Sequence, residues 1–88
     1  MTLAIEAVRR DGAMYSLQAL GYKILLRDYD CPLGQIDYVA KRENGLVFIS
    51  INRTAEEKIK AARASEYYVK RYGIKGVAIK CESYTVTT

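Results

Sequence analysis

The sequence of 88 residues lacks histidine and tryptophan altogether and contains a single proline and two cysteines. Without an imidazole, histidine-dependent acid–base chemistry, serine–histidine and cysteine–histidine pairs and the usual zinc sites are excluded. No apolar run reaches the roughly 18 residues of a membrane-spanning helix, and residues 1–10 lack the pattern of a signal peptide. We therefore expect a cytoplasmic protein in which only carboxylates, lysine or tyrosine are available for catalysis.

The two cysteines, Cys31 and Cys81, lie far apart in the sequence and in no spacing typical of metal ligands. In the cytoplasm, thiols are normally kept reduced. We interpret both residues as free, partly buried thiols rather than as a disulfide or a reactive site.

Half of the residues are hydrophobic, which is enough for one small core, and we expect a single domain over residues 1–88. Lysine and arginine number 14 against 10 acidic residues, so the formal net charge is +4. This charge is compatible with a polyanionic partner such as nucleic acid, although it does not require one.

Hydrophobic spacing, glycine and proline together predict the order of elements. Residues 3–20 are predicted to form a helix, because apolar or small residues recur at steps of three and four and Gly21 suits a helix C-cap. Residues 22–29 alternate as in a strand, and Pro32 and Gly34 mark a loop. After a hairpin, we predict a helix over residues 54–72 and a core strand over residues 77–81. Residues 82–88 are predicted to form an edge strand or a partner-binding arm.

The dipeptide Asn44-Gly45 predicts a β-hairpin between strands at residues 35–42 and 46–53, since both residues tolerate the positive φ of a tight turn. In that register, Val39 faces Ser50 and Asp37 faces Asn52. One face of the hairpin then carries Asp37, Val39, Ser50 and Asn52. The other face, predicted to pack on a helix, carries Ile36, Tyr38, Ala40, Val47, Ile49 and Ile51.

Thr54 and Glu57 have the spacing of a capping box at the start of the second helix. The predicted inward stripe of this helix is Ala55, Ile59, Ala62, Val69 and Tyr72. The opposite face would bind phosphates and stack a base, or would simply be solvated, and it carries Lys60, Arg63, Tyr67, Lys70 and Arg71. Arg53 adds a cation near the strand end.

The resulting order is α-β-β-β-α-β. Three strands in a meander are antiparallel, and a helical crossover makes the last pair parallel. We therefore expect an α/β (α+β) fold with a mixed four- to five-stranded sheet flanked by helices.

Three stretches carry a resemblance to a known family: Gly-Tyr-Lys-Ile-Leu at residues 21–25, the motif Arg-Asp-Tyr-Asp-Cys-Pro-Leu-Gly-Gln-Ile-Asp at residues 27–37, and Leu-Val-Phe-Ile at residues 46–49. They resemble a widespread, poorly characterised nuclease-like family related to the archaeal Holliday-junction resolvases, within the restriction-endonuclease-like (PD-(D/E)XK) superfamily. The similarity runs from about residue 12 to residue 79. It implies a restriction-endonuclease-like core with the predicted order of elements.

The family's motif reads Cys-Pro-x-Gly-Glu-Ile-Asp and then Val-Phe-Val-Glu-Val-Lys on the following strand. Its acidic residues hold Mg²⁺ through hard oxygen ligands, and the metal activates water. Here Asp37 matches the family's aspartate, whereas Gln35 and Ser50 replace glutamates, Asn52 replaces the lysine, and Arg10 lies near the glutamate of the first helix. Since one carboxylate with neutral neighbours binds Mg²⁺ weakly, we predict a degenerate, catalytically inactive site.

Two alternatives concern the groups around Asp37. Replacement ligands could come from the second helix, at Glu56, Glu57, Lys58 and Lys60. We favour the simpler interpretation, in which the glutamates complement the helix N-terminus and the lysines are solvated. Asp37, if it is not a metal ligand, could pair with Asn52 or with Arg53.

Three hypotheses of function follow. The first is an inactive nuclease-like domain that needs no cofactor and binds nucleic acid, particularly structured or branched DNA, through its basic faces, with a homodimer as a possible assembly. The second is an active Mg²⁺-dependent endonuclease, like a Holliday-junction resolvase, with relocated ligands and Asp37 at the metal. The third is a homodimeric structural or protein-interaction domain.

Overall fold

The computed structural model describes residues 2–4 and 10–87, and the side chains of residues 14–85. In chain order its elements are β1 Thr2–Ala4, α1 Arg10–Ala19, β2 Lys23–Cys31, β3 Gly34–Arg42, β4 Gly45–Ile51, α2 Ala55–Arg71 and β5 Ala78–Thr87. The meander β2-β3-β4 is antiparallel, and β5 is parallel to β4. This is the mixed α/β (α+β) sheet predicted from the sequence. Within the described residues, no helix is long and apolar enough to cross a membrane.

The N-terminal part of the predicted first helix is wrong. Thr2–Ala4 forms β1, which pairs in parallel with the end of β5 and makes a five-stranded sheet of order β1-β5-β4-β3-β2. The helix begins at Arg10; Ile5 and Val8, which supported the longer helix, lie outside the described residues. Pairing with a strand more than eighty residues away satisfies backbone groups that no local pattern reveals.

The structure also defines the C-terminal segment and the end of the first helix. Residues 82–87, predicted as an edge strand or an arm, simply continue β5, so that Ile51 of β4 still pairs with Tyr84. Helix α1 ends as predicted at Gly21, which has a φ of 96°. The N–H of Tyr22 donates to the carbonyl of Leu17 at 3.1 Å, closing the helix end.

The hairpin exists, but its predicted register is wrong. The turn consists of Glu43-Asn44 rather than Asn44-Gly45, so that Val39 pairs with Phe48 and not with Ser50. Each predicted partner on β4 is therefore displaced by two residues, which leaves the alternation of faces along that strand intact.

Gly45 explains why the turn was misplaced. It is the first residue of β4 and lies next to Ala78 of β5, where a Cβ would be 3.4 Å from the Ala78 carbonyl oxygen. The glycine therefore accommodates a neighbouring parallel strand rather than the turn.

Each face of the sheet has its own buried cluster. The cluster beneath α1 consists of Leu17, Tyr22, Tyr38, Ala40, Val47, Ile49 and Tyr84. The cluster beneath α2 consists of Ile36, Val39, Leu46, Phe48, Ala61 and Ala64. The predicted apolar face is confirmed except at Ile36, which packs with Val39. Near this point the β3–β4 ladder ends, and Asp28 on the neighbouring β2 has a φ of 56°, which interrupts regular strand alternation.

Helix α2 approaches the sheet through small residues, and the predicted inward stripe is wrong at three positions. Ala55 is exposed, Ile59 is 57% exposed and Tyr72 is 61% exposed. A Cβ on Gly34 would lie 2.7 Å from the Lys60 carbonyl oxygen, which shows how close the helix comes. Ranking positions by hydrophobicity missed this, because the helix buries small side chains: Ala61, Ala64 and Ser65.

Both cysteines are free, as expected. Cys31 is half-buried and packs against the cluster beneath α2. Cys81 is exposed rather than partly buried, and its Sγ lies 3.3 Å from the hydroxyl of Ser65.

Candidate functional site

The predicted site centres on Asp37, near the start of β3, where Gln35 and Arg53 are among the residues that line a cavity of about 50 Å³. Arg53 donates to both carboxylate oxygens, from Nη2 to Oδ1 at 2.7 Å and from Nε to Oδ2 at 3.1 Å. The backbone N–H of Ile51 donates to Oδ2 at 2.7 Å. The alternative in which Asp37 pairs with Arg53 is therefore confirmed.

This ion pair is partly shielded from solvent, since the side chain of Asp37 is 12% exposed and that of Arg53 is 22% exposed. The hydrogen bond with Asp37 is the largest cause that raises the pKa of Arg53 well above its ordinary value. Arg53 Nη1 also donates to Glu57 at 3.3 Å. A two-pronged guanidinium–carboxylate contact is among the stronger charge-assisted hydrogen bonds, and it occupies the oxygens that a metal would need.

The other two positions of the family motif, Ser50 and Asn52, lie at the end of β4 and directly after it. Ser50 is 6% exposed and lines a different cavity, of about 110 Å³, beneath α2. Asn52 follows the end of β4, has a φ of 52°, and its backbone N–H donates to the carbonyl of Tyr84 at 2.9 Å. The predicted cross-strand pair of Asp37 with Asn52 is wrong, because the β3–β4 ladder ends at the pair of Tyr38 with Ile49.

The residues at this site do not fit the Mg²⁺ that the family's chemistry uses. Mg²⁺ is bound through carboxylate oxygens that offset its dehydration. Asp37 is neutralised by Arg53, and Gln35 and Ser50 are uncharged. Across the described residues, no three His, Cys, Asp or Glu side chains are grouped so as to hold a metal ion. The side chain of Arg10 lies outside the described residues.

The second helix does not supply replacement carboxylates. Glu57 accepts a hydrogen bond from the Thr54 backbone N–H at 2.9 Å, and its own N–H donates to the Thr54 hydroxyl at 3.1 Å. This is the predicted capping box, and Glu56 is an exposed residue of the same first turn. Lys58 lines the Ser50 cavity, and Lys60 lines a cavity of about 220 Å³ with Gln35, Arg53 and Glu57. The helix therefore brings one carboxylate to the candidate site, and Glu57 is engaged there by Thr54 and Arg53.

The outward face of α2 is basic, as the sequence predicted. All five of its predicted members are exposed, and their spacing of three, four, three and one keeps them on one side of the helix, beside the buried residues. They are Lys60, Arg63, Tyr67, Lys70 and Arg71. We call these five residues the basic face.

A tyrosine cluster beside this face escaped the sequence analysis. Tyr68 packs edge-on against Tyr29, with ring centres 5.1 Å apart, and against Phe48 at 5.4 Å. Tyr72 lies over Tyr68 at 4.7 Å. The available sequence signal is the spacing of four between Tyr68 and Tyr72, of which only Tyr72 belongs to the predicted inward stripe.

A polar network beneath α1 was also missed. The hydroxyl of Tyr22 is hydrogen-bonded to Glu82 and to the hydroxyl of Tyr84, and Arg42 Nη1 donates to Tyr22 at 3.3 Å. Burial, followed by the hydrogen bond with Tyr22 and by Glu82, raises the pKa of Tyr84. The alternation of Glu82 and Tyr84 along β5 was the available signal, but the partner residues come from distant strands.

Comparison with known proteins gives a consistent family. The model of the uncharacterised protein family UPF0102 matches residues 11–81. A UPF0102 protein of Thermodesulfovibrio yellowstonii is 36% identical over 59 residues, which are 67% of this chain and 53% of that protein. One from Caldicellulosiruptor saccharolyticus is 32% identical over 78 residues, covering 72% of this chain and 64% of its own length.

A third relative, from Moorella thermoacetica, is 32% identical over 69 residues, covering 64% of this chain and 58% of its own length. The chain thus spans between about half and two thirds of the length of these relatives.

Proposed function

This chain belongs to the uncharacterised protein family UPF0102, a family related to the restriction-endonuclease-like nucleases, and from that premise we propose that it is a nuclease-like domain that binds nucleic acid without cleaving it. The ligand class we propose is structured or branched DNA, bound through the basic face of α2. The activity of the longer relatives is a separate matter, because the chain spans only part of their length.

The ion pair between Asp37 and Arg53 is the observation that carries the proposed inactivity. Arg53 and the Ile51 N–H together donate three hydrogen bonds to the Asp37 carboxylate. Metal binding there would leave the guanidinium partly buried without its partner, which costs free energy. A second candidate, an active Mg²⁺-dependent endonuclease, would need a free carboxylate beside Asp37, whereas Glu57, which α2 brings to the neighbouring cavity, is already hydrogen-bonded to Arg53 and Thr54.

The basic face supports the binding half of the proposal. Its four cations are exposed, and within the described part of the chain none of them forms an ion pair. Lys60 also borders the cavity lined by Gln35, Arg53 and Glu57, so that the basic face adjoins the candidate site. Phosphate backbones bind such surfaces with an affinity that falls as salt concentration rises.

The test is fluorescence anisotropy of a labelled four-way junction and a matched duplex across a range of salt concentrations. We expect salt-dependent binding, and a slope of log affinity against log salt that becomes shallower by about two in Lys60→Ala/Arg63→Ala. The matched control, Lys23→Ala/Lys80→Ala, removes two exposed cations elsewhere.

Two outcomes would contradict the proposal. One is no binding of the junction or the duplex at low salt. The other is cleavage of either substrate in Mg²⁺ or Mn²⁺ that is lost in Asp37→Ala, which would instead establish the endonuclease.

A further inference from the structure

Four tyrosines, Tyr29, Tyr67, Tyr68 and Tyr72, form what we call the tyrosine patch. Tyr68 joins the strand to the helix, with its ring 5.1 Å from Tyr29 and 4.7 Å from Tyr72. Burial, then the Cys31 thiol, then the hydroxyls of Tyr72, Tyr67 and Tyr68 raise the pKa of Tyr29. The rings of Tyr29, Tyr68 and Tyr72 thus form a continuous aromatic surface, and Tyr72 is 61% exposed and Tyr67 36% exposed.

The end of α2 holds Tyr72 in a fixed position. Its N–H donates to the Tyr68 carbonyl at 3.1 Å, and Gly73 follows with a φ of 60°. The Ile74 N–H then donates to the Val69 carbonyl at 3.0 Å, which is the hydrogen bond of a Schellman helix end. Ile74 and Val69 both pack against the core beneath α2. An exposed ring with a fixed backbone and an aromatic neighbour loses little freedom when a ligand stacks on it.

Positive charge shares the helix end with the patch. Tyr67 belongs both to the patch and to the basic face, and the exposed Arg71 directly precedes Tyr72. Aromatic rings beside cations are the combination that binds single-stranded nucleic acid, because bases stack on the rings while the cations contact phosphates. In a duplex the base faces are already stacked and unavailable.

We propose that the tyrosine patch stacks unpaired bases, with Tyr72 as the main contact, so that the domain prefers single-stranded segments and unpaired nucleotides at branches over a continuous duplex. This inference rests on the proposed function: the basic face would bind the nucleic acid, and the tyrosine patch would then contact its unpaired bases. Every nucleotide base has a π-face, so little dependence on sequence is expected.

The experiment compares a labelled oligothymidylate with a blunt duplex of the same length by anisotropy. In Tyr72→Ala we expect the affinity for the single strand to fall about 5- to 150-fold, the range for losing one stacked base, while the affinity for the duplex changes less than about twofold. Tyr72→Phe should retain the wild-type affinity. The control, Tyr15→Ala, removes an equally exposed tyrosine from α1 and should change neither affinity.

Intrinsic fluorescence gives a second readout, because the chain has eight tyrosines and no tryptophan. Stacking should quench part of this signal when oligothymidylate is added, and Tyr72→Ala should lose that part. If wild type binds neither probe, both proposals fail. If wild type binds both but Tyr72→Ala leaves the single-strand affinity unchanged, or lowers both equally, base stacking is refuted while nucleic-acid binding stands.

Discussion

The carboxylate of the family motif is present at Asp37, and its partner in the structure is Arg53. The resemblance to nucleases implies an aspartate that binds a metal at this point, whereas here the cation beside Asp37 is Arg53. The substitution of Ser50 and Asn52 for the expected glutamate and lysine was visible in the sequence. The sequence alone left both Asn52 and Arg53 as possible partners of Asp37. It could not choose between them, because the direction of the side chains after β4 depends on the left-handed backbone of Asn52.

The first prediction concerns the structural role of Asp37. Asp37→Ala should lower the free energy of unfolding by about 2 kcal/mol, because it leaves the Ile51 N–H without its acceptor and removes the two hydrogen bonds that Arg53 donates to Asp37. Urea denaturation measures this. Asp30→Ala, at an exposed aspartate on β2, serves as the control and should change stability by less than about 0.5 kcal/mol. Equal effects of the two substitutions would contradict the structural role.

For helix α2 the sequence predicted both ends correctly, but it did not predict which side of the helix faces the sheet. Its capping box and Gly73 end depend on residues adjacent in sequence, so the pattern identifies them. Which side faces the sheet depends on how closely the helix approaches, which is set by Gly34 on another element. The hairpin register failed for the same reason, since Gly45 is constrained by β5.

The second prediction is a pH effect at the α2 cap. The hydrogen bonds with Thr54 are the largest causes that lower the pKa of Glu57 from its ordinary 4.5. A lowered pKa in the folded state stabilises the fold above the unfolded pKa, and this is lost as the pH falls through the folded pKa. Glu57→Gln keeps a capping side chain without the titration. The stability difference between wild type and Glu57→Gln should shrink as the pH falls below 4.5; a difference that is constant with pH would contradict it.

The third prediction tests the contact between the β2–β3 turn and α2. Gly34→Ala should lower the free energy of unfolding by about 1–3 kcal/mol, since the added methyl group meets the Lys60 backbone at 2.7 Å. Gly45→Ala, with its closest contact at 3.4 Å, should cost less. Thermal or urea unfolding of the two variants gives the order, and the reverse order would show that α2 does not pack this closely.

For the whole molecule, the fold class and the antiparallel meander follow from local patterns, whereas the sheet's outer strand does not. β1 pairs with the far end of β5, and nothing in three residues predicts a partner at the other end of the chain. The same long-range assembly determines what the motif positions contact, since Asp37 and Ser50 line different cavities and Arg53 binds Asp37. A linear motif therefore identified the family, whereas the contacts of its residues depend on the fold.

The fourth prediction follows from this separation. Restoring the family residues in Ser50→Glu/Asn52→Lys should not produce DNA cleavage in Mg²⁺ or Mn²⁺, because Arg53 still occupies Asp37. Plasmid nicking, on protein with the wild-type circular dichroism spectrum, is the measurement. Cleavage by this double variant would show that the motif positions converge in a way that the fold described here does not allow.

The proposed function depends most on the Asp37 carboxylate binding Arg53 rather than a metal ion. Its most direct test is a Mn²⁺ titration followed by electron paramagnetic resonance on wild type and Asp37→Asn. We expect the same weak, non-stoichiometric Mn²⁺ binding in both proteins. One tightly bound Mn²⁺ per wild-type chain, absent in Asp37→Asn, would contradict it.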